Sequence, residues 1–185
     1  MLASDPQPVS DFAALIGGTP LEECFAFWRA ARVDGLVPKA RIDPVAMPRH
    51  ILPYLFIYDR GTDGRFRCRL SGTGLCEAFQ IDATGLYLEE FMPPGVLADR
   101  LALYETVLAR ALPVAFVAHI AETDRSWMKF CRLMLPISVS GTVADAIFGM
   151  VWFPDFDPRR FVHQPMELGA LEAVAWAELE DLIEA

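Results

Sequence analysis

Long apolar runs are missing from this sequence. The longest, AIFGMVWF at residues 146–153, falls well short of the ~20 residues that a bilayer-spanning helix needs. A basic surplus is missing too: 16 lysines and arginines stand against 25 acidic residues, for a formal charge of −9. Neutralising phosphates requires an excess of cations, so neither nucleic acid nor an anionic membrane is an expected partner. The opening MLASDPQPVSD has no basic start and no apolar stretch, so no cleaved export signal is expected and the expected location is cytoplasmic. No C-x-x-C pair occurs among Cys24, Cys68, Cys76 and Cys131, each of which sits in apolar surroundings, and buried reduced thiols are expected rather than disulfides or a metal site. His50, His119 and His163 share no metal-binding spacing, and no metal is expected.

What is present is enough for one well-cored domain: 185 residues, 54% of them hydrophobic. Residues 1–18 read as a flexible lead-in containing Pro6, Pro8, Gly17 and Gly18. Thr19-Pro20-Leu21-Glu22 then supplies a capping residue, a first-turn proline and a glutamate three positions on, which predicts a helix start. Leu21, Phe25 and Trp28 follow at helical spacing, with Cys24 and Ala31 beside them. Four prolines between residues 38 and 53 deny a continuous helix and predict an extended connector, so 19–53 forms an N-terminal helix plus connector.

Residues 54–155 read as the core. Leu55–Asp59 and Arg65–Leu70 are strand-like and are joined by a glycine-containing hairpin loop. In the second of them Phe66, Cys68 and Leu70 alternate with Arg65, Arg67 and Arg69. Short helical pieces at 75–79 and 88–91 and a longer one from Leu97 to about Leu112 come next. Val114–Ala121, Trp127–Ser138 and Val143–Phe153 are three further strands with hairpin-length connections. The remaining segment, 156–185, reads as a loop and an amphipathic helix over about Glu167–Ile183, with Leu168, Leu171, Ala175, Leu179 and Leu182 on one stripe. Two hairpin-linked strands, then helices, then three hairpin-linked strands imply an α+β fold: one five-stranded antiparallel sheet with helices on one face and flanking N- and C-terminal helices.

This order resembles a PAS domain, and the details resemble the bacterial PAS family 5. The resemblance is carried by Phe27-Trp28, the run Pro38 to Pro44 with Arg41, Asp43 and Pro44, Leu52-Pro53, Arg69-Leu70-Ser71-Gly72-Thr73, Thr84-Gly85 and Leu135-Pro136. It implies a sheet in the order 2-1-5-4-3, with the helical group walling a central cavity. It also implies sensing or protein contact rather than chemistry, with no catalytic residue and no fixed cofactor. The flavin-adduct motif of light-sensing PAS domains has no counterpart around Cys76.

The glycine-rich step Ser71-Gly72-Thr73-Gly74 leaves a strand and enters a helix as a phosphate loop would, but lacks the later glycine-lysine pair. Its expected role is a sharp turn from sheet to helix. Arg67 and Arg69 form a candidate anion contact, against the simpler pairing with Asp43 or Asp59. Phe79, Phe91, Leu101, Tyr104, Phe116, His119, Phe130, Met134, Phe148, Met150 and Trp152 are candidate lining for a cavity that takes a small apolar ligand, and most of them also serve as core. His119 would be the residue to bind a haem, and Asp145 or His119 the first buried ionisable group to inspect for an enzyme, though no cofactor is required by the sequence. The apolar faces of the terminal helices point to a homodimer or a signalling partner.

Overall fold

The computed structural model describes residues 7–8, 11–123, 126–154, 168–178 and 180–182. Its helices are α1 (Phe12–Ile16), α2 (Pro20–Ala30), α3 (Thr73–Phe79), α4 (Leu88–Phe91) and α5 (Pro94–Arg110). Its strands are β1 (Gln7–Pro8), β2 (Leu55–Arg60), β3 (Phe66–Ser71), β4 (Val114–Thr123), β5 (Ser126–Ile137), β6 (Ala146–Trp152) and β7 (Ala173–Trp176). The five central strands run β3-β2-β6-β5-β4, all antiparallel, which is the 2-1-5-4-3 order. β7 extends this sheet past β4, and β1 pairs with β7 in parallel.

The start of α2 follows from its sequence. The Thr19 hydroxyl accepts from the Leu21 amide at 3.2 Å, Pro20 opens the first turn, and the Glu22 carboxylate reaches back to the Gly18 amide at 2.8 Å. The proline-rich connector folds as three short 3₁₀ turns, Lys39–Arg41, Pro44–Ala46 and Leu52–Tyr54. Asp43 caps the second of them by accepting from the Val45 amide at 2.9 Å, and Pro44 opens it. Arg41 ends the first turn at the surface.

Both faces of the sheet are covered. On one face, α3, α4 and α5 close over Phe56, Tyr58, Phe66, Cys68, Phe116, Phe130 and Met134. On the other, α1, α2 and the connector pack on Ala115, Val117, Cys131, Leu133, Leu135, Phe148 and Met150. The expectation of helices on one face therefore holds for α3–α5, while the N-terminal helix lies across the opposite face. Trp28 is 2% exposed there and donates its indole N–H to the Pro136 carbonyl at 2.9 Å. Proline is tolerated at 136 because β4 begins opposite Met134, so this end of β5 has lost one ladder partner.

Two expectations at the chain ends are corrected. The lead-in is not loose throughout. Asp11 caps α1 through the Ala14 amide at 3.0 Å, and Phe12 and Ile16 are buried against α2 and the sheet. The C-terminal stripe is not a helix over 173–176, where Ala173–Trp176 form β7 opposite Val114–Val117. Helical spacing lost to tertiary pairing: an unpaired β4 edge would leave a row of backbone donors and acceptors without partners, and this segment supplies them. Its ladder continues outside the strand, from the Gly169 amide to the His119 carbonyl at 2.8 Å and from the Ala177 amide to the Pro113 carbonyl at 3.0 Å. Beyond it, the carbonyls of Asp181 and Leu182 accept from Arg29 and Arg32 at 3.2 and 3.1 Å, which ties the segment to α2. Residues 156–167 and Leu179 lie outside the described residues.

The β5–β6 connection gives a contained prediction. Asp145 accepts from the amides of Val139 at 2.6 Å and Ser140 at 3.0 Å, so it caps this hairpin and takes no part in the cavity. Partial burial pushes its carboxyl up, and the Val139 and Ser140 donors together pull it further down, leaving it below the usual carboxylate range. A depressed carboxylate contributes stability that is present above its unfolded value, ~3.9, and is lost as pH falls through the folded value. Asp145→Asn is expected to cost about 1–2 kcal/mol at pH 7. In urea melts the gap to wild type should close below about pH 4; a gap that persists there would mean that the charge is not its source.

Candidate functional site

Between the sheet and the α3–α5 wall lies a partly open cavity of about 30 Å³, lined in part by Phe56, Tyr58, Leu75, Phe79, Phe91 and Arg132. Phe79 meets Phe130 edge-on with ring centroids 5.7 Å apart, and Phe130 meets Phe116 at 6.4 Å. Tyr104 is fully buried between Tyr58 and Phe66, with centroids at 5.4 and 5.2 Å. Leu101 and Met134 belong to the same packed layer.

Of the candidate lining residues, Phe79 and Phe91 border this cavity, Leu101, Tyr104, Phe116, Phe130 and Met134 pack in the same layer without bordering it, and four lie elsewhere. Phe148 and Met150 are buried on the opposite face under α2, and Trp152 packs against that same layer. On β6 the residues facing α3–α5 are Ile147 and Val151, followed by Phe153 just after the strand. Every position from Ala146 to Val151 is buried, so the strand carries no apolar-polar alternation from which to choose a face. His119 is the fourth. Phe116 and Ala118 belong to the layer under the α3–α5 wall, so alternation along β4 turns His119 the other way, where its Nδ1 lies 2.8 Å from the Glu172 carboxylate. His119 is therefore not placed to bind a haem in the cavity. His163 lies outside the described residues.

The arginine row of β3 is a paired surface. Arg65 lies over the Tyr87 ring at 3.7 Å and 3.4 Å from Glu89, Arg67 donates to the Gly85 carbonyl at 2.9 Å, and Arg69 pairs with Asp59 at 3.1 Å. Asp59 also takes Lys39 at 3.1 Å, while Asp43 is used as a cap. Arg67 and Arg69 thus have partners within the chain, and the expected alternation is cut short by a bulge between Ile57 and Tyr58 that leaves Leu70 39% exposed.

The glycine step has a different cause from the one its sequence predicts. Gly72 sits at an ordinary φ of −64°, so no unusual torsion is needed. A Cβ there would stand 2.2 Å from the Pro53 carbonyl oxygen, so glycine is required by the close approach of two backbones. Thr73 is the exposed first residue of α3. Gly85, by contrast, does need its freedom: at φ +90° its amide donates to the Cys68 carbonyl at 2.8 Å, covering the outer edge of β3.

Three of the four thiols, Cys24, Cys68 and Cys131, are buried, and Cys76 is half-buried. Burial pushes Cys68 up to about 11 and Cys131 up to about 12, and raises Cys24 and Cys76 as well. At pH 8 iodoacetamide is expected to modify the half-buried Cys76 first and to leave Cys24, Cys68 and Cys131 unmodified until denaturant is added. Rapid alkylation of any of those three in the folded protein, read by intact mass, would contradict this.

Sequence reasoning missed two buried cations on this side of the sheet, Arg132, which lines the cavity, and Arg100, which packs behind it on Phe116. They are 9% and 3% exposed, and with Ser138 they are the buried polar or charged residues among those described. Arg132 shares the parity of Phe130 and Met134, both assigned to the cavity, and Arg100 stands one helical turn from Tyr104, so alternation and periodicity held the signal. Arg132 lies over the Phe56 ring at 4.0 Å, and Arg100 lies over Phe116 at 4.8 Å while donating to the Gly169 carbonyl at 3.0 Å.

Among the residues behind the resemblance to PAS family 5, Trp28 meets Pro136 and Pro53 meets Gly72, while Gly85 bonds to Arg67 and Cys68 of β3. They hold the sheet, the wall and the N-terminal layer in register. No curated protein and no solved structure matches this chain. The model of one family, described as a PAS domain, matches residues 18–152, most of the sequence. With the 2-1-5-4-3 strand order and the helical wall over one sheet face, that match makes the chain a member of the PAS domain family, in its fifth division.

Proposed function

We propose that the protein is a sensory signalling module of the cytoplasm, which takes a small ligand into the cavity between sheet and wall and passes its occupancy on by protein contact. The observation that supports this reading best is where the cavity lies. It is bounded on one side by a rigid sheet and on the other by α3, Ile81, Ala83 and α4, short pieces separated by turns. A ligand entering there displaces the wall more easily than the floor, because short helices have few backbone bonds to hold them. Among the described residues no helix is long and apolar enough to cross a membrane.

Hydrogen–deuterium exchange tests the reading. Adding a pooled set of small metabolites should slow exchange in residues 73–92 while leaving β4 and β5 unchanged, and native mass spectrometry should show the retained compound. If no compound is retained and exchange in the wall stays unaltered, the ligand-sensing reading fails.

Self-association is the second reading, and it needs a surface other than the terminal helices. Leu21, Cys24, Phe25 and Trp28 of α2 are covered by the sheet of the same chain, and 173–176 is a strand. Val139 and Val143, 56% and 58% exposed around the β5–β6 turn, are the apolar side chains left open there. Light scattering at tens of micromolar reads the mass; a dimer that survives Val139→Lys with Val143→Lys would place the contact elsewhere.

A further inference from the structure

We propose that the cavity is a carboxylate site, with the Arg132 guanidinium as its anchor and Arg100 as a second positive charge behind it; this rests on the ligand-sensing reading and names the chemical class that it takes. Arg132 sits midway along β5, opposite Phe116 on β4 and Val151 on β6, and lines the cavity. Its Nε is buried with no hydrogen-bond partner. The same is true of Arg100 Nη1 and of the Tyr104 hydroxyl, while Arg32 Nε, the remaining such atom among the described residues, belongs to α2's side of the sheet. Three of four orphaned donors therefore lie on the cavity's side of the sheet.

Charge sharpens the point. No Asp or Glu is buried among the described residues, and neither guanidinium takes part in an ion pair there. Burial first, and the charge of Arg132 second, pull Arg100 down to about 10, while at Arg132 burial lowers the guanidinium but Tyr104 and Tyr58 together raise it further, so both groups remain cations at neutral pH. Aromatic faces give the cations partial compensation: Phe56 for Arg132, with Tyr58 at 5.6 Å and Tyr104 at 5.8 Å, and Phe116 for Arg100. A ring face satisfies no N–H, and the Tyr58 hydroxyl, which hydrogen-bonds the Arg132 side chain, still leaves Nε unmet. Two like charges with unmet donors in an apolar layer are costly to hold, and a counter-charge taken up from outside removes that cost.

Size and shape select the anion. A cavity of about 30 Å³ has room for only about two or three water-sized atoms. A planar carboxylate fits that space and matches the planar donor edge of a guanidinium, whereas a tetrahedral phosphate is bulkier. The rest of the ligand leaves past Leu75, Phe79 and Phe91, which calls for a short aliphatic or aromatic acid.

The test is a two-dimensional NMR titration at constant ionic strength with acetate, benzoate, benzamide and inorganic phosphate. Benzoate and acetate should shift cavity resonances saturably, and benzamide and phosphate should bind at least about tenfold more weakly, the ratio expected for a charge-assisted hydrogen bond in a dry site. Arg132→Met should abolish the benzoate shifts, and Arg132→Lys should restore part of them. Ligand-free Arg132→Met should melt no lower than wild type, because it keeps the apolar stem and removes an uncompensated charge. Benzamide or phosphate binding as tightly as benzoate would overturn the carboxylate assignment and leave the cavity reading standing. The assignment is equally overturned if neither carboxylate saturates, or if Arg132→Met melts well below wild type, which would make Arg132 a structural cation.

Discussion

Trp28→Ala should lower the stability of this domain by about 3–5 kcal/mol, the range for deleting a large buried aromatic side chain. A domain of this kind has only about 5–15 kcal/mol in total, so the variant should be partly unfolded near physiological temperature. The side chain joins three parts of the molecule. It stacks near-parallel with Phe25, ring centroids 6.0 Å apart, carries Arg32 at 5.8 Å from its ring, and reaches across the sheet face to the Pro136 carbonyl. Trp28→Phe separates packing from hydrogen bonding. It keeps most of the apolar surface and leaves a buried carbonyl unpaired, for an expected cost of about 1–3 kcal/mol. Urea unfolding followed by circular dichroism gives both values, with the slope of the transition unchanged. If Trp28→Ala stayed within about 1 kcal/mol of wild type, the N-terminal layer would be an appendage of the sheet, and the view of it as the sheet's second cover would have to go.

That second cover explains what could and could not be read in the sequence. The strands of the core, the capped start of α2 and the short wall helices are local features, each announced by turn residues or by periodicity within a dozen positions. Which way a side chain faces is also local where only one face is apolar: Phe66 and Cys68 alternate with arginines and point inward as expected. Once α1 and α2 cover the second face, β6 becomes apolar on both sides, and Phe148, Met150 and Trp152 are indistinguishable in pattern from Ile147, Val151 and Phe153. The fate of 168–178 depended on an edge supplied by a strand some fifty residues earlier, which no local window contains. Arg132 was legible by parity alone. An arginine inside an apolar run reads as an outward-facing residue until its neighbours are known to be buried.

The second large effect follows from a single hydrogen. Gly149 lies on β6 between Leu55–Phe56 and Leu133–Met134 of the flanking strands, and a Cβ added there would stand 2.1 Å from the Leu133 carbonyl oxygen and 2.5 Å from the edge of the Phe56 ring. The first contact is with backbone in mid-sheet and cannot be relieved by a rotamer change. The second pushes on the ring that carries Arg132. Gly149→Ala should therefore cost about 3 kcal/mol, the upper end for overpacking a filled core. Gly95→Ala, in the first turn of α5, is the matching control. Nothing lies within 4 Å of its added Cβ, so the same chemical change should stabilise by about 0.4–1 kcal/mol through the unfolded chain. Opposite signs for the two substitutions in parallel melts are the expected outcome. A Gly149→Ala protein as stable as wild type would mean that β5 and β6 separate readily at this point, and the floor beneath Arg132 would then be too soft to hold a guanidinium without a partner.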